Sequence, residues 1–154
     1  ISAVWRVKGG MSNIPPANST FPSASRVAVS WPRPWTSEPT ANHMSSMAEL
    51  AAANGIKVVL SSITPVSNYH VPNPNAVPQT TQRPLTRVRA INDWIRQYAA
   101  AHRHQYLDYF PAMIDDKGML KAELSGDDLH PNAAGYAIMA PLADAAIQRA
   151  LATK

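Results

Sequence analysis

Cysteine is absent from this chain of 154 residues, which rules out disulfides, thiolate zinc sites and a cysteine nucleophile within it. The same absence leaves the redox compartment unreadable. No apolar stretch approaches the length needed to span a bilayer. The first residues, Ile1-Ser2-Ala3-Val4-Trp5, carry neither an initiator methionine nor a charged-then-apolar leader. The chain therefore reads as mature, trimmed or truncated there, and its location is left open, secreted and periplasmic compartments included. There is no concentrated run of basic charge either. The formal net charge is +4 and the pI about 9.6, which could suggest an anionic partner. Yet the basic residues are scattered, and Arg89, Arg96 and Arg103 recur every seven positions as on a solvated helix flank. No nucleic-acid partner is expected from that pattern. What remains is an ordinary globular composition, 45% hydrophobic, and a length that suits one domain with a core.

Residues 44–154 and residues 1–43 differ in kind. From Met44 onward helix and strand patterns alternate. Asn42 is a candidate N-cap for a helix with Met44, Met47, Leu50 and Ala51 on one side, and Gly55 a candidate stop. Ile56-Lys57-Val58-Val59-Leu60-Ser61 reads as a buried parallel strand. Thr64 to Pro84 is a loop with five prolines, long enough to line a site. Leu85, Val88, Ile91, Ile95, Ala99 and His102 fall at helical spacing, and Gln105-Tyr106-Leu107-Asp108-Tyr109 is a second strand. Pro141 should kink or divide the last helix. The alternation predicts an α/β fold with a parallel sheet covered on both faces, and a ligand site beyond the carboxyl ends of the strands. Residues 1–43 instead carry six prolines among Ser and Thr, with one candidate strand, Arg26-Val27-Ala28-Val29-Ser30, and no helical period.

The segment richest in chemistry is Asp127-Asp128-Leu129-His130-Pro131-Asn132-Ala133-Ala134-Gly135-Tyr136. A carboxylate three residues before an imidazole is the base half of a serine-hydrolase triad: it fixes the tautomer, and the other ring nitrogen takes the nucleophile's proton. Pro131 keeps His130 out of any helix, and Asn132 can cap the apolar run that follows. The whole string, just before a C-terminal helix, resembles the last block of the SGNH (GDSL-type) hydrolases. That resemblance covers roughly residues 44–151 and includes Met47-Ala48-Glu49-Leu50, Lys57-Val58-Val59-Leu60-Ser61, Asn92-Asp93-Trp94-Ile95 and Tyr106-Leu107-Asp108-Tyr109. It implies a flavodoxin-like three-layer α/β/α domain, apparently incomplete at its N-terminus. It also implies hydrolysis of carboxylic esters of lipids, thioesters or polysaccharides without metal or other cofactor, with Asp127 (not Asp128) and His130 as catalytic residues.

Other parts of the family's pattern are missing. No Gly-Asp-Ser block occurs. The second-block glycine is matched weakly by Gly9 or Gly10, making Gly10 the oxyanion-hole candidate, and Ser12 is the serine beside glycines that could serve as nucleophile. The third block, ending Gly-x-Asn-Asp, is not found between residues 20 and 43. Reading the codons of Ser30 to Pro39 two bases later turns Trp31-Pro32 into Ala and Trp35-Thr36 into Asp, and permits Leu, Thr, Ile and Asn nearby. The result is similar to the family's third-block strand, so residues before about 43 are either frame-shifted or divergent. Elsewhere, Ser61 and Ser62 would line the crevice or cap the chain. His102-x-His104 reads as surface or C-cap histidines, and His70 as an exposed loop residue; Asp115-Asp116 forms a solvated turn, and Trp94 and Tyr136 belong in the core. Two readings follow: an ester hydrolase, or a catalytically impaired remnant or non-catalytic module that keeps the C-terminal portion of the fold and binds a sugar or a protein.

Overall fold

A computed structural model describes residues 38–71 and 75–153 of the chain. The elements run α1 (Glu38–Ala53), β1 (Val59–Ser61), α2 (Gln79–Gln82), α3 (Leu85–Ala101), β2 (Gln105–Leu107), α4 (Phe110–Met113) and α5 (Ala133–Ala152), with a 3-10 turn at Ala122–Leu124 before α5. Among the described residues, β1 and β2 form one parallel pair, Val59 opposite Gln105 and Ser61 opposite Leu107. Parallel neighbours need a crossover, and α3 supplies it, as the alternating sequence pattern predicts. The long proline-rich loop is not wholly irregular, since it contains the single turn α2.

α1 belongs to a different compact unit from the chain beyond Lys57 and is described by itself. Among the described residues it runs Glu38–Ala53, so Asn42 lies inside the helix and does not cap it. Its buried stripe is Ala41, Met44, Ala48 and Ala51, whereas Met47 and Leu50 are exposed. The expected face is therefore corrected. Small alanines carry the stripe, and a reading weighted toward large side chains passes over them. The C-terminal stop is where it was expected: Ile56 N–H donates to the Ala51 carbonyl at 2.9 Å and Gly55 N–H to Ala52 at 3.0 Å, with Gly55 at φ 67°. This is a Schellman closure, whose left-handed residue suits glycine. α3 ends the same way, His104 N–H on Ala99 at 2.8 Å and Arg103 N–H on Ala100 at 3.4 Å. There the left-handed position, φ 58°, is held by Arg103.

α5 organises the larger unit. Its Leu142, Ala143, Ala146 and Ala150 pack with Val59 and Leu107 of the sheet, while Ile138 and Met139, one turn earlier, pack on Met113, Leu120 and Leu124. Pro141 neither divides nor ends this helix, which runs its full 20 residues. The lost backbone bond is borne because packing grips the helix on both sides of the proline. The carboxyl ends of the strands are fastened by polar groups. Buried Asn92 of α3 accepts from Ile63 N–H at 2.7 Å and donates to the Ile63 carbonyl at 3.0 Å. The Ser62 hydroxyl accepts from the amides of Tyr109 and Phe110, at 2.9 and 3.2 Å, at the start of α4. These ties hold rigid the sheet end beyond which an α/β fold places its ligands.

Candidate active site

The turn before α5 is closed at its neck by an antiparallel bridge between Ser125 and Pro131. Asn132 holds it further: its N–H donates to the Leu124 carbonyl at 2.9 Å and its side-chain amide to Glu123 at 2.9 Å. The same side chain caps α5 as predicted, Oδ1 accepting from Ala134 N–H at 2.9 Å and Gly135 N–H at 3.1 Å. A Cβ at position 135 would sit 2.8 Å from the Leu124 carbonyl oxygen and 2.9 Å from Pro131 Cβ, so the close approach of α5 to this neck requires glycine.

Within the turn, His130 Nδ1 lies 2.6 Å from Asp127 Oδ2. Asp127 Oδ1 accepts from the amides of His130, at 2.7 Å, and Leu129, at 3.1 Å, and from the Ser125 hydroxyl at 3.1 Å. The His130 ring, and then the His130 amide, hold the Asp127 carboxyl far below the usual carboxylate range; slight desolvation opposes them without prevailing. An ionised Asp127 accepting from Nδ1–H leaves Nε2 as the free acceptor. The His130 side chain is 75% exposed and that of Asp127 55%, so the ring edge away from Asp127 is open to a reactant. The structure thus brings together the two residues singled out by the decapeptide.

Asp128 turns the other way. Its side chain is 3% exposed, and its backbone takes φ 66°. Oδ1 accepts from the Ser67 hydroxyl at 2.6 Å, Tyr69 N–H at 2.8 Å and the His70 ring, whose Nδ1 is 3.2 Å away; Oδ2 accepts from His70 N–H at 2.7 Å. Burial pushes this carboxyl up, but the bonds from Ser67, His70 and Tyr69 outweigh it and leave it below its ordinary value. Residues 66–70 are held by further bonds, Ser67 N–H to the Asp128 carbonyl at 3.0 Å and Leu120 N–H to the Val66 carbonyl at 3.1 Å. The Tyr69 hydroxyl donates to Asp115, which pushes the Tyr69 phenol up to about 12. Sequence reasoning passed over this second Asp–His contact; the adjacent acidic pair was its one visible sign.

The remaining candidates fall out as follows. Ser12, Gly9 and Gly10 lie outside the described residues. Of the two roles expected for Ser62, the structure shows the cap: it is buried, and its hydroxyl accepts from the Tyr109 and Phe110 amides. Among the described residues, no serine hydroxyl is hydrogen-bonded to His130; those of Ser67 and Ser125 are bound to the two aspartates. His102 is the C-cap of α3 and stacks on Tyr98, ring centroids 4.2 Å apart. His104, half-buried, is pushed below its ordinary value by burial and by His102. Trp94 is core, whereas Tyr136 is exposed. That correction has a simple cause: Tyr136 is in the first turn of α5, and the buried glycine beside it takes the inward position. Among the described residues, no helix is long and apolar enough to cross a membrane.

Comparison with known proteins bears on the same region. The family of GDSL-like lipases/acylhydrolases matches residues 30–138, a stretch that starts upstream of residue 44 and takes in Ser30 to Pro39 in the frame as written. A GDSL-like lipase of Bacteroides thetaiotaomicron is similar in structure, with a TM-score of 0.62 and 31% identity over 75% of this chain and 54% of its own. A Bacteroides fragilis protein assigned as an acylhydrolase gives a TM-score of 0.60 and 28% identity over 77% of this chain and 54% of its own. The esterase domain of a zebrafish retrotransposon ORF1 protein shares the fold at 16% identity, with a TM-score of 0.56 over 75% of this chain and 61% of its own. The chain spans about half the length of the first two relatives. No match was found among curated proteins.

Proposed function

The chain belongs to the GDSL-like lipase/acylhydrolase family and has its α/β fold, and from that premise we propose that Asp127 and His130 are the orienting acid and the general base of a carboxylic-ester hydrolase site. The observation that carries this reading is the 2.6 Å contact between His130 Nδ1 and Asp127 Oδ2, on a turn that leaves the rest of the imidazole exposed. Asp127 holds His130 in the tautomer whose Nε2 accepts a proton. His130 removes the proton from a serine hydroxyl as that oxygen attacks the ester carbonyl. It then returns the proton to the leaving alkoxide, so that an alcohol departs and an acyl-enzyme remains; water repeats the cycle and releases the acid. The serine belongs to residues outside those described, and Ser12, with the Gly10 amide toward the oxyanion, is the candidate this reading carries. The substrate class is a small-molecule, lipid or carbohydrate ester.

Residues 1–43 are a segment atypical of the family in composition beside the 44–154 hydrolase portion, although the family match reaches back into it to residue 30. If they arose from a shifted frame, the coding DNA will extend the family pattern upstream in an alternative frame; if neither frame does so, they are divergent. A second reading, a module that keeps the fold and binds without turnover, rests on the sequence, which carries no Gly-Asp-Ser block. A serine-directed phosphonate followed by peptide mapping separates the two. Labelling of a serine that disappears in His130→Ala supports the hydrolase, and absence of labelling supports the binding module.

A further inference from the structure

The turn 127–130 depends on a residue that does not face the reactant. The Asp127 carboxylate reaches forward to the amides of Leu129 and His130 across the intervening Asp128, which sits at φ 66°. That region is costly for most residues with a Cβ and less so for Asp and Asn, and it persists where the surroundings fix it. The surroundings here are specific. Every polar atom of the buried Asp128 side chain is engaged by residues 67–70, and the Asp128 carbonyl accepts from Ser67 N–H.

We propose that Asp128 is a positioning residue, a latch that fixes the proline-rich loop at residues 67–70 to the reactive turn and thereby keeps Asp127 and His130 in register. The inference rests on the hydrolase reading for its consequence in catalysis, but its geometry stands apart from it. The latch demands a carboxylate. Oδ1 faces the Tyr69 N–H and Oδ2 the His70 N–H, and backbone amides only donate. An asparagine at 128 would set its NH2 against one of those donors whichever way it flipped. Asp128→Asn therefore opens the latch while preserving size and shape. With the carboxylate lost, one of the Tyr69 and His70 amides has no acceptor, the loop parts from residue 128, and the Asp127–His130 contact loosens with it. Ser67→Ala removes one donor and leaves both backbone amides seated, so it weakens the latch without opening it.

The test is NMR on the 15N-labelled chain, reading amide hydrogen exchange at Tyr69 and His70 and the low-field Nδ1 proton of His130. In Asp128→Asn the two amides are expected to exchange at least about tenfold faster, and the His130 proton signal to broaden or vanish, while core amides of α5 keep their protection. Unchanged exchange at Tyr69 and His70 would overturn the latch. Faster exchange with an intact His130 signal would overturn the positioning role, since Asp128 would then be a structural anchor alone. Should Asp128→Asn fail to fold, Ser67→Ala carries the test with smaller shifts in the same two readouts, and no shift in either overturns the proposal. If the chain hydrolyses esters, kcat is expected to fall in Asp128→Asn with KM little changed. Absence of hydrolysis in the unsubstituted chain counts against the hydrolase reading and leaves the exchange readout decisive for the latch.

Discussion

Asp127 and Asp128 are neighbours in the chain and opposites in the fold. Asp127 is half exposed and spends its carboxylate on one exposed imidazole and the turn's own amides. Asp128 is buried and spends its carboxylate on a loop some sixty residues away in sequence, the Ser67 bond spanning 61 positions. The same side chain thus orients an exposed imidazole on one side of the turn and makes a tertiary fastening on the other. Exposure decides which, because an exposed carboxylate contributes little to stability whereas a buried one is costly unless every lone pair is used.

The comparison breaks if the two aspartates prove interchangeable in their effects. The largest expected effect is on rate: Asp127→Asn should lower kcat by roughly 10⁴-fold by favouring the wrong imidazole tautomer, with a denaturation midpoint close to that of the unsubstituted chain. Asp128→Ala should lower stability as well as rate. It leaves Ser67, Tyr69 and His70 donors without a buried acceptor, and urea unfolding should show a loss of about 3 kcal/mol.

A finer contrast uses the two non-glycine residues at positive φ among those described, Asp128 and Arg103. Arg103 occupies the left-handed closing position of α3 as Gly55 does that of α1. Arg103→Gly is expected to stabilise by about 1 kcal/mol, read by thermal unfolding, whereas Asp128→Gly should destabilise, because relief of φ is smaller than the loss of the carboxylate. A stabilising Asp128→Gly would mean the latch is worth less than its strain.

The smallest expected effect concerns Tyr69, whose hydroxyl pins the outer side of the latched loop to Asp115. Tyr69 and Tyr106 are both pushed up to about 12, Tyr69 by its bond to Asp115 first and Tyr106 by burial first. Their phenols ionise near 10.0 when unfolded, so between those values the folded chain holds more protons and its stability falls as pH rises. In a spectrophotometric titration, Asp115→Asn should bring Tyr69 back toward 10.0 and leave Tyr106 where it is. Movement of both would show that the shift is not local to the loop.

Much of this was legible beforehand, for physical reasons that can be named. The crossover β1–α3–β2 and the Asn132 cap follow from local periodicity and capping chemistry, which a sequence displays directly. Asp127 and His130 were visible because the contact is made within three residues. Asp128 with Ser67 and His70 was not, since a bond between distant segments leaves no spacing to read. The α1 face was misread because Ala41, Ala48 and Ala51 carry it, and Tyr136 because aromatic character alone does not say which way a first-turn residue points.

The most direct test of the hydrolase reading is turnover of a short-chain p-nitrophenyl ester by the unsubstituted chain and by His130→Ala. The account expects hydrolysis above the uncatalysed rate that His130→Ala abolishes while the fold is retained by circular dichroism. Hydrolysis indifferent to His130→Ala, or no hydrolysis at all, would contradict it.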